Sequence, residues 1–316
     1  MPLGVGAQGF IGIEMEVTPG TYIAPTVYLP LLEESLQFNQ VQIQRRPLRG
    51  IADMSGMLPG DQSVTGTIKV EITHDTLPYI LRASRATGVK TGAGPFVYTY
   101  TPNALVIPNK TMSITVVRLT TGGIFGYTGC VISSMKYSID NGILVAEFGI
   151  VGRSEASQTL PTPTYVTTPP PATGQFTLQF ATVTATDADT FELSIDDKAE
   201  PAFRLQGGNV RTPVFVKYGE RAVTASINRD FIDRTDYDAY KLLTAQAIDL
   251  KCVQSAAVAE VNFNVPTAIK DTYEIEGLKG QADLIRANIS YQGVYDTVTS
   301  RAYQIVITSP TTLVVP

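Results

Sequence analysis

The segment Val64-Thr-Gly-Thr-Ile68-Lys-Val70-Glu-Ile72 alternates apolar or glycine positions with polar ones along its whole length. A period of two fits a strand buried on one face and wet on the other, and it does not fit a helix. Val223-Thr-Ala-Ser-Ile227-Asn-Arg-Asp-Phe231 repeats the pattern position for position, except that Arg229 stands where the first segment has Val70. A short helix is expected after each strand. Asp75 is placed to cap the first, with Leu77, Ile80 and Leu81 on one face and Pro78 early enough for its missing N–H to cost little. Asp236 to Leu243 supplies the second, with Tyr240 opposite Tyr79 and Leu242 opposite Leu81. The same order of elements met twice is the pattern of a divergent internal duplication.

Further strands are expected at 96–100, 112–119, 125–139 and 143–151 in the first half, and at 258–265, 272–275, 282–291 and 303–308 in the second. Asp140-Asn141-Gly142 reads as a tight hairpin turn. Between the halves, Pro161, Pro163 and Pro169 to Pro171 exclude helix and central strand and favour extended polyproline geometry. The chain is therefore expected to be mainly β, with two tandem β-sandwich or partial-barrel domains, each carrying a short helix. The expected boundaries are residues 1–160, with an N-terminal arm and a long loop at 47–62, a Pro-rich linker at 161–172, and a second domain at 173–316.

Charged residues make up 17% of the 316 and the net charge is −5. Residues 1–160 hold 11 basic and 11 acidic side chains, so all of the acidic excess falls in the second half, which has 13 against 18. A protein that grips DNA clusters Lys and Arg against phosphates, and Arg45-Arg46 with Arg49 is the one such group. Tight nucleic-acid binding is not expected. No run approaches the roughly 20 apolar residues of a spanning helix, and Met1-Pro2-Leu3-Gly4 lacks the features of a secretion signal. No membrane insertion is expected, and the chain should be made and assembled in a bacterial cytoplasm. Cys130 and Cys252 lie far apart and are expected as free, buried thiols.

Each constellation that carries enzyme chemistry is weak. His74 is the only histidine, so a two-imidazole metal site within one chain is excluded, and its place beside a helix start suits a turn residue. Gly4-Val-Gly6-Ala-Gln-Gly9 has the letters of a dinucleotide fingerprint but no strand before it. Asp187, Asp189, Asp196 and Asp197 lack the glycine and terminal glutamate of a calcium loop and read as solvated hairpin loops. Glu33-Glu34 and Glu274 with Glu276 offer paired carboxylates without an aromatic sugar platform, and tryptophan is absent. No enzyme activity, cofactor or metal is expected.

The run from Gly20 to Ser35, with Tyr22, Pro25, Tyr28, Pro30 and Glu33-Glu34, followed by Arg45-Arg46-Pro47-Leu48-Arg49-Gly50, resembles the opening of tail tube proteins from long, non-contractile bacteriophage tails. The strand at 64–72, its Leu-Pro-Tyr helix and a second half on the same plan are similar to the longer, duplicated branch of that family. The resemblance implies a structural virion protein that self-assembles into stacked rings, forming the hollow tube through which DNA passes during ejection. Sheets of neighbouring domains would join edge to edge. Because single-domain relatives form hexameric rings, a two-domain chain would form a trimer with pseudo-sixfold symmetry. The implied partners are further copies of the chain, a tape measure protein during assembly, and terminator and distal tail proteins at the ends. DNA would pass transiently, without specific binding.

Within that resemblance, Ile51, Met54, Met57 and Leu58 lie on a Gly-rich loop where exposed apolar side chains are costly unless a partner covers them. They are candidate contacts with the adjacent ring, and the segment from Glu14 to Ser35 is a second candidate arm. The polar faces of the matched strands, Thr65, Thr67, Lys69 and Glu71 with Thr224, Ser226, Asn228 and Asp230, are candidate lumen residues. Alternation alone does not say which face looks inward. The rival readings are another ring-forming tail component, such as a distal tail or terminator protein, and a carbohydrate-binding or adhesive β-sandwich module.

Overall fold

The computed structural model describes residues 8–48, 50, 53–102, 110–205, 211–255, 259–277 and 284–312. The first half contains β1 (Phe10–Met15), β2 (Val27–Leu29), β3 (Leu31–Glu34), β4 (Gln37–Arg45), β5 (Gly56–Glu71), α1 (Leu77–Leu81), β6 (Ala86–Thr91), β7 (Phe96–Pro102), β8 (Met112–Leu119), β9 (Gly123–Asp140), β10 (Ile143–Gly152) and β11 (Ser154–Ser157). The second contains β12 (Phe176–Phe180), β13 (Val183–Thr184), β14 (Ala188–Asp196), β15 (Glu200–Ala202), β16 (Phe215–Lys217), β17 (Ala222–Asp230), α2 (Thr235–Lys241), β18 (Gln246–Ser255), β19 (Ala259–Ile275), β20 (Arg286–Gly293) and β21 (Gln304–Ser309). The expected mainly β class holds, and the described residues form large antiparallel sheets with two short helices and no closed barrel among them.

One sheet runs through the whole molecule. Its order is β3 and β4 on β5, then β10, the C-terminal part of β9, β14, β17, β20 and the C-terminal part of β19, every pair antiparallel. β9 and β19 are long enough to leave this sheet and enter a second layer. The N-terminal part of β9 pairs with β8 and β11, β8 with β1, and β1 with β2. The N-terminal part of β19 pairs with β18 and β21, continuing to β12 and β13 on one side and to β7 and β6 on the other. Tyr137 of β9 meets Phe263 of β19 at 4.5 Å between ring centroids, and Phe180 of β12 stacks on Tyr291 of β20 at 6.2 Å, so the layers close on one apolar core.

Four strand pairings recur between the two halves. The pairs β1–β8, β5–β10, β9–β10 and β9–β11 have counterparts in β12–β18, β17–β20, β19–β20 and β19–β21. The irregularities coincide as well. The β9–β10 ladder slips by one residue between Gly149 and Ile150, opposite Ser134 and Ile132, and β19–β20 slips between Lys270 and Thr272, opposite Tyr291 and Ser290. The strands beside β5 and β17 slip as well, between Leu31 and Glu33 on β5 and between Ala188 and Thr190 on β17. Bulges are retained features of a fold rather than defects, so these shared slips align the halves more firmly than residue identity does.

Several sequence expectations are corrected. The strands expected at 258–265 and 272–275 are one strand, since the pairing partner changes from β21 to β20 within β19 instead of the chain turning. The segment from Glu14 to Ser35 is not an arm; β1 lies between β2 and β8, and β2 and β3 follow in the sheets. The 47–62 loop is shorter than expected because β5 begins at Gly56 and forms a ribbon with β4. Residues 1–7 lie outside the described residues. Asp75 does not cap α1, which starts from Thr76 without a side-chain cap. Its carboxylate instead accepts bonds from Thr168, Ser309 and Thr311, tying the interdomain connection and the last strand to the first half. Along that connection Tyr165 bridges to Tyr28, and the Pro171 carbonyl accepts from Leu144.

Asp197 departs furthest from the solvated loop expected of it. It is buried where β14 leaves β9, with its Oδ1 2.6 Å from Arg221 Nε and 3.9 Å from Arg85 Nη1. Burial pushes its carboxyl above the ordinary value, against the pull of Arg221 and then Arg85. Removing one partner of a buried ion pair costs about 3–5 kcal/mol because the other charge is stranded. Asp197→Ala should therefore lower stability by that order in urea denaturation of the unassembled chain, whereas Asp196→Ala on the same turn should change it by under about 1 kcal/mol.

Candidate assembly surface

The eight polar residues singled out on the two matched strands lie on one face of the through-running sheet. Register carries one row across it: Glu33, Lys69, Glu147, Lys136, Ser194, Thr224 and Gln292, each directly opposite the next. A second row runs Glu71, Val145, Ser138, Glu192, Ser226, Ser290 and Thr272. Thr65, Thr67, Asn228 and Asp230 take the same side on neighbouring rows. The opposite face carries Val64, Ile68, Val70, Val223, Ala225 and Ile227, all buried beneath the second layer. Only the polar face is open to solvent.

Cations on this face are already held by carboxylates. Lys69 Nζ lies 2.7 Å from Asp140 Oδ2, and that hydrogen bond raises the lysine above its ordinary pKa, aided by Glu33 and Glu147. Lys136 pairs with Glu192 at 2.9 Å, and Arg286 with Asp189 at 2.7 Å. Phosphates passing over such a surface would find compensated cations among excess carboxylates, the reverse of a DNA grip.

The apolar candidates lie elsewhere. The ribbon of β4 and β5 stands out from the sheet, with Ile43 opposite Leu58 and Gln44 opposite Met57. Met54, Met57 and Leu58 are exposed, and Val41 and Ile43 on β4, which the sequence reading missed, are exposed with them. Ile51 lies outside the described residues. The bidentate pair from Arg211 to Asp61, 2.6 and 2.8 Å, fixes the ribbon's base.

Of the residues considered for enzyme chemistry, His74, Glu34 and Asp187 are each engaged within the fold. His74 is buried, with Nδ1 2.8 Å from Gln254 Oε1 and Nε2 3.4 Å from Asp75, joining β18 to the turn before α1. Glu34 is engaged bidentately by Arg118 at 2.6 and 3.0 Å. Asp187 is bound by Arg229 at 2.8 Å. Among the described residues no group of three acidic, histidine or cysteine side chains is placed to hold a metal, and no helix is long and apolar enough to cross a membrane. Cys130 and Cys252 are free and buried, and burial raises both thiols.

The family model for phage tail tube proteins matches residues 6–294. The chain belongs to the phage tail tube protein family. It is a structural component of the virion tail, assembling with copies of itself and other tail components into the tube. No individually curated protein matches it. For a tail tube protein, the features that matter are those just described: a sheet with one wet face, an exposed apolar ribbon, and the strands at which the sheet ends.

At one of those ends a glycine sets the geometry. Gly66 has φ +153°, and a Cβ there would lie 2.5 Å from the Ser35 carbonyl oxygen and 2.7 Å from Leu36 Cα. β3 and β4 thus approach β5 closely only because position 66 has no side chain. Gly66→Ala should displace this edge and destabilise the unassembled chain by about 1–3 kcal/mol, read as a lower urea midpoint and faster hydrogen exchange at Ser35 and Leu36. Gly56→Ala, at φ +150° with open space around it, isolates the backbone strain from the close approach.

Proposed function

We propose that three chains close into a ring of six similar β units, that rings stack into the hollow tube of a long, non-contractile tail, and that the polar face of the continuous sheet lines its lumen. The observation that carries this reading is the pair of lateral rows crossing both halves without interruption. The halves already behave as neighbouring units of one sheet, joined by β9 and β14, and their common connectivity supports descent from a duplicated domain. The opposite face is occupied by the chain's own second layer, leaving the wet face for the channel. Its paired cations suit a wall over which DNA slides during ejection. A tape measure protein would occupy the channel during assembly, and terminator and distal tail proteins would cap its ends.

Mass measurement of isolated rings, or class averages of negatively stained ones, should give three chains per layer. Six chains per layer would sink the pseudo-sixfold reading.

Stacking is assigned to the β4–β5 ribbon, whose apolar residues are left about half exposed among the described residues. Met57→Asp combined with Leu58→Asp places charges at positions already half exposed, so folding should be unaffected. Single rings should persist while long tubes are lost, and tubes of ordinary length from this variant would refute the assignment.

A further inference from the structure

The junction between the two halves of one chain is a template for the junction between chains. β9 is bounded on one side by β10 and on the other by β14, with Ser134 opposite Asp196, Met135 opposite Ile195, Lys136 opposite Ser194, Tyr137 opposite Leu193 and Ser138 opposite Glu192. Its counterpart β19 has β20 on one side and, among the described residues, no strand on the other beyond Ala268. The counterpart of β14 is the edge formed by β3 and β4, which among the described residues pairs only with β5. Among the described residues, one free edge of each kind therefore remains. An unpaired edge is a row of unsatisfied N–H and C=O groups that templates pairing with another strand.

The shared slips fix how residues correspond. Met135 opposite Phe148 and Ile68 corresponds to Tyr273 opposite Ile289 and Ile227. Ile195 opposite Val223 corresponds to Phe38 opposite Val64. We infer that the β19 edge of one chain pairs antiparallel with the β3–β4 edge of a second copy, with Tyr273 opposite Phe38, Ile275 opposite Leu36, and Glu274 opposite Gln37. This rests on the ring reading above and specifies its interface.

Two features that played no part in transferring the register agree with it. The first is phase: the register places Leu36 and Phe38 against Ile275 and Tyr273 on the core side, and Gln37 against Glu274 on the wet side. A slip of one residue would set apolar against polar along the whole contact. Ile275, 41% exposed in the single chain, would be covered.

The second feature is a missing roof. α1 is covered by the second half, through His74 to Gln254, Arg85 to Asp197 and the Gly219 carbonyl, and Asp75 to Ser309. Leu81 is 0% exposed there, whereas Leu242, its match on α2, is 78% exposed and Leu243 62%. α2 stands beside the open β19 edge, its Tyr237 and Tyr240 rings on Tyr273 at 5.5 and 6.1 Å. The next chain would supply the roof that α2 lacks.

The test uses the full chain carrying Gln37→Cys together with Glu274→Cys, oxidised during assembly and read on non-reducing gels and by microscopy. Directly opposite residues lie within disulfide reach, while diagonal neighbours are about 7–8 Å apart. Covalent oligomers ending at the closed ring are expected, with at least tenfold less from Gln37→Cys paired with Thr272→Cys. Rings that form but crosslink no better at 37/274 than at 37/272 would overturn this register and leave the tube reading intact. Absence of rings from the unmodified chain would overturn both. Ile275→Lys gives a second readout: the monomer should keep its melting temperature and lose ring formation, and normal rings from this variant would also overturn the interface.

Discussion

A β-sheet that ends in solvent leaves a row of backbone donors and acceptors without partners. Everything else in this molecule is arranged around that constraint. Each half builds a two-layer unit, but the layer nearest the wet face stops at a strand with one open side. Within the chain the second half closes the first by laying β14 along β9, and the Asp197 carboxylate, set between Arg221 and Arg85, holds that seam in a dry environment. β9 and β19 make the arrangement possible, because a strand that passes from one layer to the other fixes both sheets relative to each other.

The halves are not chemically equal despite their common plan. Where the first has Val70 opposite Ala146 and Ile132 opposite Ile150, the second has Arg229 opposite Ala287 and Lys270 opposite Tyr291. Lys270 is fully buried, with Nζ 2.8 Å from Asp236 Oδ1, and Arg229 bridges Asp236 and Asp187 while lying 4.6 Å from the Phe180 ring. Burial alone would lower the Arg229 guanidinium, and its carboxylate partners reverse that, leaving it above the ordinary value. An apolar pair has been exchanged for an ionic cluster, whose geometry is exacting where that of an apolar pair is forgiving.

Much of this was legible in the sequence. The alternation at 64–72 and 223–231 located β5 and β17 and the phase of their faces, Asp140-Asn141-Gly142 located the β9–β10 turn, and both helices lie where the spacing put them. β4 and β14 were missed although their signal was present: Phe38, Val41 and Ile43 among glutamines, and Phe191, Leu193 and Ile195 beside an aspartate cluster that reads as hairpin loops. Asp197 was misread for the same reason, since an aspartate run carries no mark of the arginines that fold onto it from residues 85 and 221. Pairing across the two halves was beyond local pattern, because it depends on which edges the fold leaves open.

The proline-rich connection has a kinetic consequence. It lies along the first half, fastened by Tyr165 to Tyr28 and by Thr168 to Asp75. The two halves therefore meet at an effective concentration set by the tether rather than by the supply of protein in the cell. The seam between β9 and β14 is therefore made within each chain, before any second copy is met.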